Sequence, residues 1–131
     1  MKRLAITALT CALSGPAVAQ NPSYTTDSEW KAPATAAEKH NPLANKPQAA
    51  QGGRKLFMRN CAECHGQAGT GMEKKHSADL QLPAVQAQSD GALFWKITNG
   101  NVDGGMPPFS GLPEMQRWQI VLYLRTLTSP K

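Results

Sequence analysis

Two cysteines and a histidine lie within five residues of one another, as Cys61-Ala62-Glu63-Cys64-His65. This is the C-x-x-C-H pattern of covalent haem attachment. Because residues three and four apart share one face of a helical turn, both thiols can reach neighbouring vinyl groups of a single porphyrin. His65 directly follows the second anchor, so its imidazole can turn under the ring and coordinate iron. The pattern predicts one covalently attached haem c, with Cys61 and Cys64 as anchors and His65 as an iron ligand.

Three other uses of the two cysteines are disfavoured. A redox-active disulfide of the thioredoxin type expects a βαβ arrangement around the cysteine pair, and no such pattern is present. A structural zinc site needs four ligands, and outside the motif only the isolated His40 and His76 could add histidines. A disulfide between Cys61 and Cys64 would close too small a loop to stabilise the fold much.

Residues 1–19 have the features of a secretory signal peptide. A charged start, Met1-Lys2-Arg3, precedes an apolar stretch over residues 4–15, and Ala17-Val18-Ala19 matches the small-x-small cleavage pattern. The apolar stretch is shorter than the roughly 20 residues that a membrane-spanning helix needs. We therefore expect cleavage after Ala19, loss of Cys11 with the signal, a periplasmic mature protein and no stable membrane span.

The length and charge of the chain disfavour two further classes of function, two-domain enzymes and nucleic-acid-binding proteins. A chain of 131 residues has room for one domain and little else, which disfavours a two-domain enzyme. The formal net charge of +5 comes from lysines and arginines scattered as pairs and singletons. Because nucleic-acid binding expects a clustered basic stripe, we predict no nucleic-acid partner. Scattered lysines would suit weak docking onto an acidic protein, although they serve ordinary solubility equally well.

The mature chain divides into two parts. Residues 20–51 are rich in Pro, Ala, Asn, Lys and Thr and show no sustained apolar period, which predicts an extended or disordered tail. Within this tail, Trp30 and Asn41-Pro42-Leu43 are either docking points on the folded part or loose surface residues. Residues 52–131 are predicted to form the folded domain.

Three helices are predicted in that domain. The first covers residues 53–60 and leads into the cysteine motif. The second begins at the capping residues Ser89 or Asp90 and ends at Asn99-Gly100. The third has Pro113 near its first position and runs through Leu127. No alternating pattern is long enough to build a sheet, so the predicted fold class is small all-α.

With these features in place, residues 53–127 resemble a class I monohaem cytochrome c domain. Gly53 lies eight residues before Cys61 and Phe57 four residues before it, as in the first helix of that family. Apolar positions of the family's last helix are matched by Ile120, Tyr123 and Leu124. The resemblance implies that Gly53 permits a close crossing of the two terminal helices, while Phe57 packs against Tyr123.

The resemblance also implies a partner for the second ring nitrogen of the iron-ligating histidine. In the family a proline carbonyl accepts a hydrogen bond from that nitrogen, which here assigns the role to Pro83. Residues that would line the haem pocket are Leu80, Leu82, Pro83, Phe94, Trp95 and Ile97.

An electron carrier usually has both axial positions of its iron filled, and Met106 is the preferred sixth ligand. Pro107 favours an extended backbone at Met106, and Gly104-Gly105 allow the chain to approach a haem closely. The segment also resembles the G-M-P ligand loop of class I cytochromes. The other candidates are Met58, Met72, Met115, His40 and His76.

The predicted function is electron transfer by a protein that is not itself an enzyme. A thioether ligand favours ferrous iron relative to two imidazoles and should raise the reduction potential. The chain would exchange single electrons with a redox donor and acceptor, as a free carrier or as the cytochrome subunit of a larger respiratory or dehydrogenase complex. The alternative is a haem-based gas-binding or redox sensor with an open sixth iron position.

Overall fold

Helices account for all the regular structure in the computed structural model, which describes residues 30–128. The α-helices are α1 Ala34–Ala37, α2 Ala49–Asn60, α3 Ala62–His65, α4 Pro83–Gln86, α5 Asp90–Asn99 and α6 Glu114–Leu124. Short 3-10 helices cover Glu73–Lys75 and Arg125–Leu127. This confirms the all-α class over residues 30–128. The predicted signal peptide, residues 1–19, lies outside the described residues.

The core is built where α2 crosses α6. A Cβ atom placed on the buried Gly53 would lie 1.9 Å from the backbone oxygen of Gln119, so only glycine lets the two helices approach this closely. Next to the crossing, the rings of Phe57 and Tyr123 pack with their centroids 5.2 Å apart. Both contacts confirm what the resemblance implied for these residues. Phe57 is only 1% exposed, so the crossing lies at the centre of the core.

Helix α5 has the ends that its sequence predicted. The Ser89 side chain accepts a hydrogen bond from the Ala92 amide at 3.1 Å, which caps the first turn. The helix stops at Gly100, whose φ of +65° is disfavoured for residues with a side chain. Between these ends, Phe94 stacks on Trp118 of α6 with ring centroids 3.9 Å apart.

The C-terminal end of α6 is joined to α4 and α5 by one half-buried arginine. Arg125 forms an ion pair with Asp90, with Nη2 and Oδ1 2.7 Å apart. It also donates to the backbone carbonyls of Gln86 and Gln88. The guanidinium thus satisfies carbonyl groups at the end of α4 and after it, while its charge is balanced at the first residue of α5.

Residues 30–51 correct the prediction of an extended tail. Residues 30–48, here called the N-terminal strap, lie against the helices, and α2 begins at Ala49 rather than Gly53. Asn41 is buried and donates to the Trp118 carbonyl at 3.1 Å, while Ser89 donates to the Ala37 carbonyl at 2.6 Å. Both suggested docking points, Trp30 and the segment around Asn41, make tertiary contacts. Residues 20–29 of the predicted tail lie outside the described residues.

The strap escaped prediction because its contacts involve backbone carbonyls and do not repeat along the chain. A Cβ atom on Gly91 would lie 2.2 Å from the Ala36 oxygen, so α1 packs directly on a glycine of α5. Such packing leaves no apolar periodicity in the sequence.

Among residues 30–128, no helix is both long enough and apolar enough to pass through a bilayer.

The crossing predicts opposite effects for two adjacent glycines. Gly53→Ala should destabilise the protein by about 1–3 kcal/mol or prevent folding, because its methyl group would collide with backbone. Gly52→Ala is the matched control: its methyl would meet only the flexible end of the Gln119 side chain, and alanine favours the helix by roughly 1 kcal/mol. Urea denaturation of both variants measures the difference. Equal stability in the two variants would contradict the close crossing.

Candidate haem site

The C-x-x-C-H segment forms a tight turn directly after α2. Cys61 leaves the helical conformation, with φ −121° and ψ −35°, and the chain then enters α3. The Cys61 carbonyl accepts hydrogen bonds from the amides of Cys64 at 3.1 Å and His65 at 2.9 Å. The turn ends at Gly66, where φ is +76°. The two cysteines and the histidine therefore lie on one short turn.

Both cysteines of the motif are half-buried, and they are not joined to each other in a disulfide. Burial, with a smaller contribution from the neighbouring Cys64, raises the pKa of Cys61 to about 12. Before haem attachment, burial therefore favours the protonated thiol of Cys61 over its thiolate. Addition of a thiol S–H across a vinyl double bond forms a thioether with no oxidant, so two reduced thiols are the form that haem attachment requires.

The orientation of the His65 ring is set by a backbone carbonyl. Its Nδ1 lies 3.0 Å from the oxygen of Ala78, and because a carbonyl can only accept, Nδ1 carries a proton, so that in the neutral ring Nε2 keeps its lone pair. Burial lowers the pKa of His65, and the hydrogen bond to Ala78 opposes that shift. A neutral imidazole with its second nitrogen held this way is the form that ligates iron in proteins.

The family-implied role of Pro83 in this hydrogen bond is wrong. Pro83 is the first residue of α4, and its carbonyl accepts the amide of Ala87 at 2.8 Å. Ala78, five residues earlier in the chain, provides the acceptor instead. The sequence contains no signal for this choice, since every residue has a carbonyl and the loop's path decides which one faces the histidine.

Ser77 is a buried residue of the site that the sequence did not indicate. Its hydroxyl donates to the Cys64 carbonyl and accepts from the Met72 amide at 2.9 Å. The loop that carries Ser77 also returns to the motif through Gly71, whose amide donates to the His65 carbonyl at 2.9 Å. A lone serine in a loop gives no periodic or motif signal, so only the folded chain reveals the contact.

Met106 lies at the end of a closed loop that follows α5. Asn101 and Met106 pair as an isolated antiparallel bridge, with N–O distances of 2.9 and 2.8 Å between their backbones. Gly105 has φ of +83°, which lets the chain turn just before Met106. The Met106 side chain is half-buried, whereas Val102 near the tip of the loop is 71% exposed.

The other candidates for the sixth ligand have different surroundings. Met72 is 38% and Met115 is 48% exposed. His40 and His76 are also exposed, and Met58 is half-buried on α2 beside the core.

The suggested haem-pocket residues separate into three groups. Phe94 and Ile97 are buried in the protein core, Leu80, Leu82 and Trp95 are half-buried, and Pro83 is exposed. Half-buried apolar side chains are the ones with surface left to cover a cofactor. Together with the two cysteines and the oriented imidazole of the motif, these residues fit a c-type haem.

A family model described as cytochrome C oxidase, cbb3-type, subunit III, matches residues 48–124 of the chain. The match covers more than half of the sequence and includes Cys61, Cys64, His65 and Met106. It runs from just before α2 to the last residue of α6. No curated protein sequence and no solved structure matches the chain.

Ser77→Ala tests the support of the attachment turn. The substitution removes one partner each from the Cys64 carbonyl and the Met72 amide, and the unfolding free energy should fall by about 1–3 kcal/mol. Ser110→Ala, at an exposed position, is the control and should change stability by less than about 0.5 kcal/mol. Thermal and urea unfolding measure both. If the two variants unfold alike, Ser77 does not support the turn.

Proposed function

The chain belongs to the family described as cytochrome C oxidase, cbb3-type, subunit III, and from this premise we propose that it is a periplasmic electron-transfer protein. Membership makes it a monohaem c-type cytochrome with one covalently attached haem c. Haem-based electron transfer fits a carrier rather than an enzyme. The observation that carries the proposal is the attachment turn, where two cysteines not joined in a disulfide stand beside an imidazole whose Nδ1 is bonded to the Ala78 carbonyl, which leaves Nε2 as the nitrogen for iron.

Each residue of the turn has a defined task in this function. Cys61 and Cys64 would hold the porphyrin through thioether bonds, which would prevent its loss during repeated oxidation and reduction. His65 would supply Nε2 as an iron ligand, while its hydrogen bond to the Ala78 carbonyl restrains rotation of the ring. When bound, the haem supplies an iron that alternates between the ferric and ferrous states. The protein fixes where that iron lies and how strongly each state is favoured.

Met106 is proposed as the second axial ligand. Its side chain is half-buried and its backbone is clamped by the pairing with Asn101, so the loop can hold the thioether in one place. Met72 and Met115 are exposed, and neither combines burial with a closed loop. A thioether favours ferrous iron relative to a second imidazole, which raises the reduction potential. Two filled axial positions also limit atomic movement on reduction.

Met106→Ala is the direct test of this ligand. The ferric variant should lose the methionine-to-iron charge-transfer band, and the reduced variant should bind carbon monoxide at once, because its sixth position is open. Met72→Ala and Met115→Ala are the controls and should keep the band. Retention of the band in Met106→Ala, with its loss in one of the controls, would place the ligand elsewhere. Immediate stoichiometric carbon monoxide binding by the wild type would favour the sensor alternative.

The proposal also covers where the mature protein lies and whether it is a subunit of a larger complex. The charged start, short apolar stretch and Ala17-Val18-Ala19 support cleavage before Gln20 and a periplasmic location. The family description names a subunit of an oxidase, which supports a role as the cytochrome subunit of a larger complex over that of a free carrier. In either role the partners are a redox donor and a redox acceptor.

Purification of the native pigment under mild conditions checks both points. Mass spectrometry should find a mature chain that begins at Gln20 and carries one haem, in the periplasmic fraction. A second polypeptide should elute with it, and high salt should weaken the association if surface lysines contribute. A pigment that elutes alone at every salt concentration would favour the free carrier, and a chain retaining residues 1–19 would contradict cleavage.

A further inference from the structure

One peptide group joins the N-terminal strap to the Met106 loop. The carbonyl oxygen of Gly100 accepts a hydrogen bond from the indole Nε1 of Trp30 at 3.1 Å. The amide at the other end of the same peptide, that of Asn101, donates to the Met106 carbonyl at 2.9 Å. Because a peptide group is planar and rigid, fixing its carbonyl also fixes the direction of its N–H. Trp30 is thus linked to the Met106 backbone through a single rigid unit.

The indole itself is held in place. The Nζ atom of Lys96, on α5, lies 4.4 Å from the centre of the Trp30 ring, a cation–π contact. Further along, the strap that carries Trp30 is fastened by the buried hydrogen bond of Asn41 to the Trp118 carbonyl. Trp30 can therefore act as a fixed donor.

The loop needs such a restraint at its first residue. Gly100 has φ of +65°, and a Cβ atom there would lie 2.5 Å from the carbonyl carbon of Pro107, so no other residue fits. Glycine also has the greatest backbone freedom of any residue, so at this hinge, the residue where the loop leaves α5, no side chain restrains the backbone. The loop beyond it is exposed at Val102, Gly104 and Gly105. The hydrogen bond from Trp30, which lies outside the loop, limits the backbone freedom of Gly100 at the start of the loop.

We propose that Trp30 is a positioning residue for Met106: its indole N–H fixes the Gly100–Asn101 peptide and so holds the loop in the conformation that keeps the thioether on the iron. This inference rests on the proposed role of Met106 as the sixth ligand. It also gives the strap a function, which is to steady the distal side of the haem.

Trp30→Phe separates the hydrogen bond from the packing. Phenylalanine keeps an aromatic ring beside Lys96 and removes only the indole N–H and the second ring. Imidazole added to the ferric holoprotein competes with Met106 for iron, so its dissociation constant reports how firmly the loop holds the thioether. Loss of one hydrogen bond should make imidazole bind about 3- to 10-fold more tightly. Amide hydrogen exchange at Asn101 and Met106 should accelerate by a similar factor.

Ser89→Ala is the matched control. It removes the hydrogen bond between the strap and α5 as well as the α5 cap, yet it leaves Trp30 and Gly100 untouched. Imidazole affinity should stay within about 2-fold of the wild type, because the loss lies outside the hinge. An equal tightening in Ser89→Ala would show that general loosening, and not the indole N–H, controls the loop, and would overturn the proposal.

A double variant distinguishes failure of this inference from failure of the ligand assignment. In a Met106→Ala background no thioether competes with imidazole, so adding Trp30→Phe should leave imidazole affinity unchanged. If Trp30→Phe tightens imidazole equally in both backgrounds, the indole acts elsewhere and the inference is wrong. If Trp30→Phe changes neither affinity nor amide exchange while Met106→Ala loses the charge-transfer band, only the inference fails. If Met106→Ala binds imidazole no more tightly than the wild type, the ligand assignment fails, and the inference fails with it.

Discussion

The close crossing of α2 and α6 at Gly53 is the constraint on which the haem site depends. With only a hydrogen atom between the Gly53 backbone and the Gln119 carbonyl, the two helices share one buried seam. Phe57 and Tyr123 close that seam, and the attachment turn begins one turn of helix beyond Phe57. A turn that starts from the least mobile part of the fold presents its thiols and imidazole in a defined direction. Any bulk at Gly53 would separate the helices and move the base of the site.

The two sides of the site are built differently. On the histidine side, the loop after the motif folds back so that Ala78 orients the imidazole and Ser77 holds the Cys64 carbonyl. This loop follows the motif directly and is closed by short-range hydrogen bonds. The proposed methionine side is a loop that leaves α5 at Gly100, whose carbonyl is bonded to Trp30, seventy residues away in sequence. On our proposal, a residue outside the family's matched span, residues 48–124, fixes that side.

The sequence predicted those features that local chemistry decides. Ser89 and Gly100 marked both ends of α5 because a side-chain cap and a glycine with positive φ act within a few residues. The cysteine motif indicated the cofactor because its spacing alone suits one porphyrin. The start of α2 was placed too late: Ala49-Ala50-Gln51 favour a helix but carry no amphipathic pattern.

What the sequence could not predict depends on which backbone groups meet after folding. The backbone carbonyls of Ala78, Gly100 and Trp118 each accept a tertiary hydrogen bond from a side chain. Every residue type has the same carbonyl, so the sequence does not show which one will be the acceptor. The resemblance to class I cytochromes therefore named the wrong acceptor for His65. It gave no information on residues 30–48 either, since the likeness begins at residue 53. Distant polar contacts of this kind are found only when the path of the chain is known.

These features together favour electron transfer over gas binding. A gas sensor needs an iron position that empties readily, and a loop starting at an unrestrained glycine would provide one. Here the hinge carbonyl is bonded to an indole, the next amide is bonded to Met106, and the loop is closed by the reciprocal bond from Met106 to Asn101. With Met106 as the proposed ligand, restraint at these three points would keep the coordination constant between oxidation states. Constant coordination lowers the structural cost of each electron transfer, which is the property that a carrier requires.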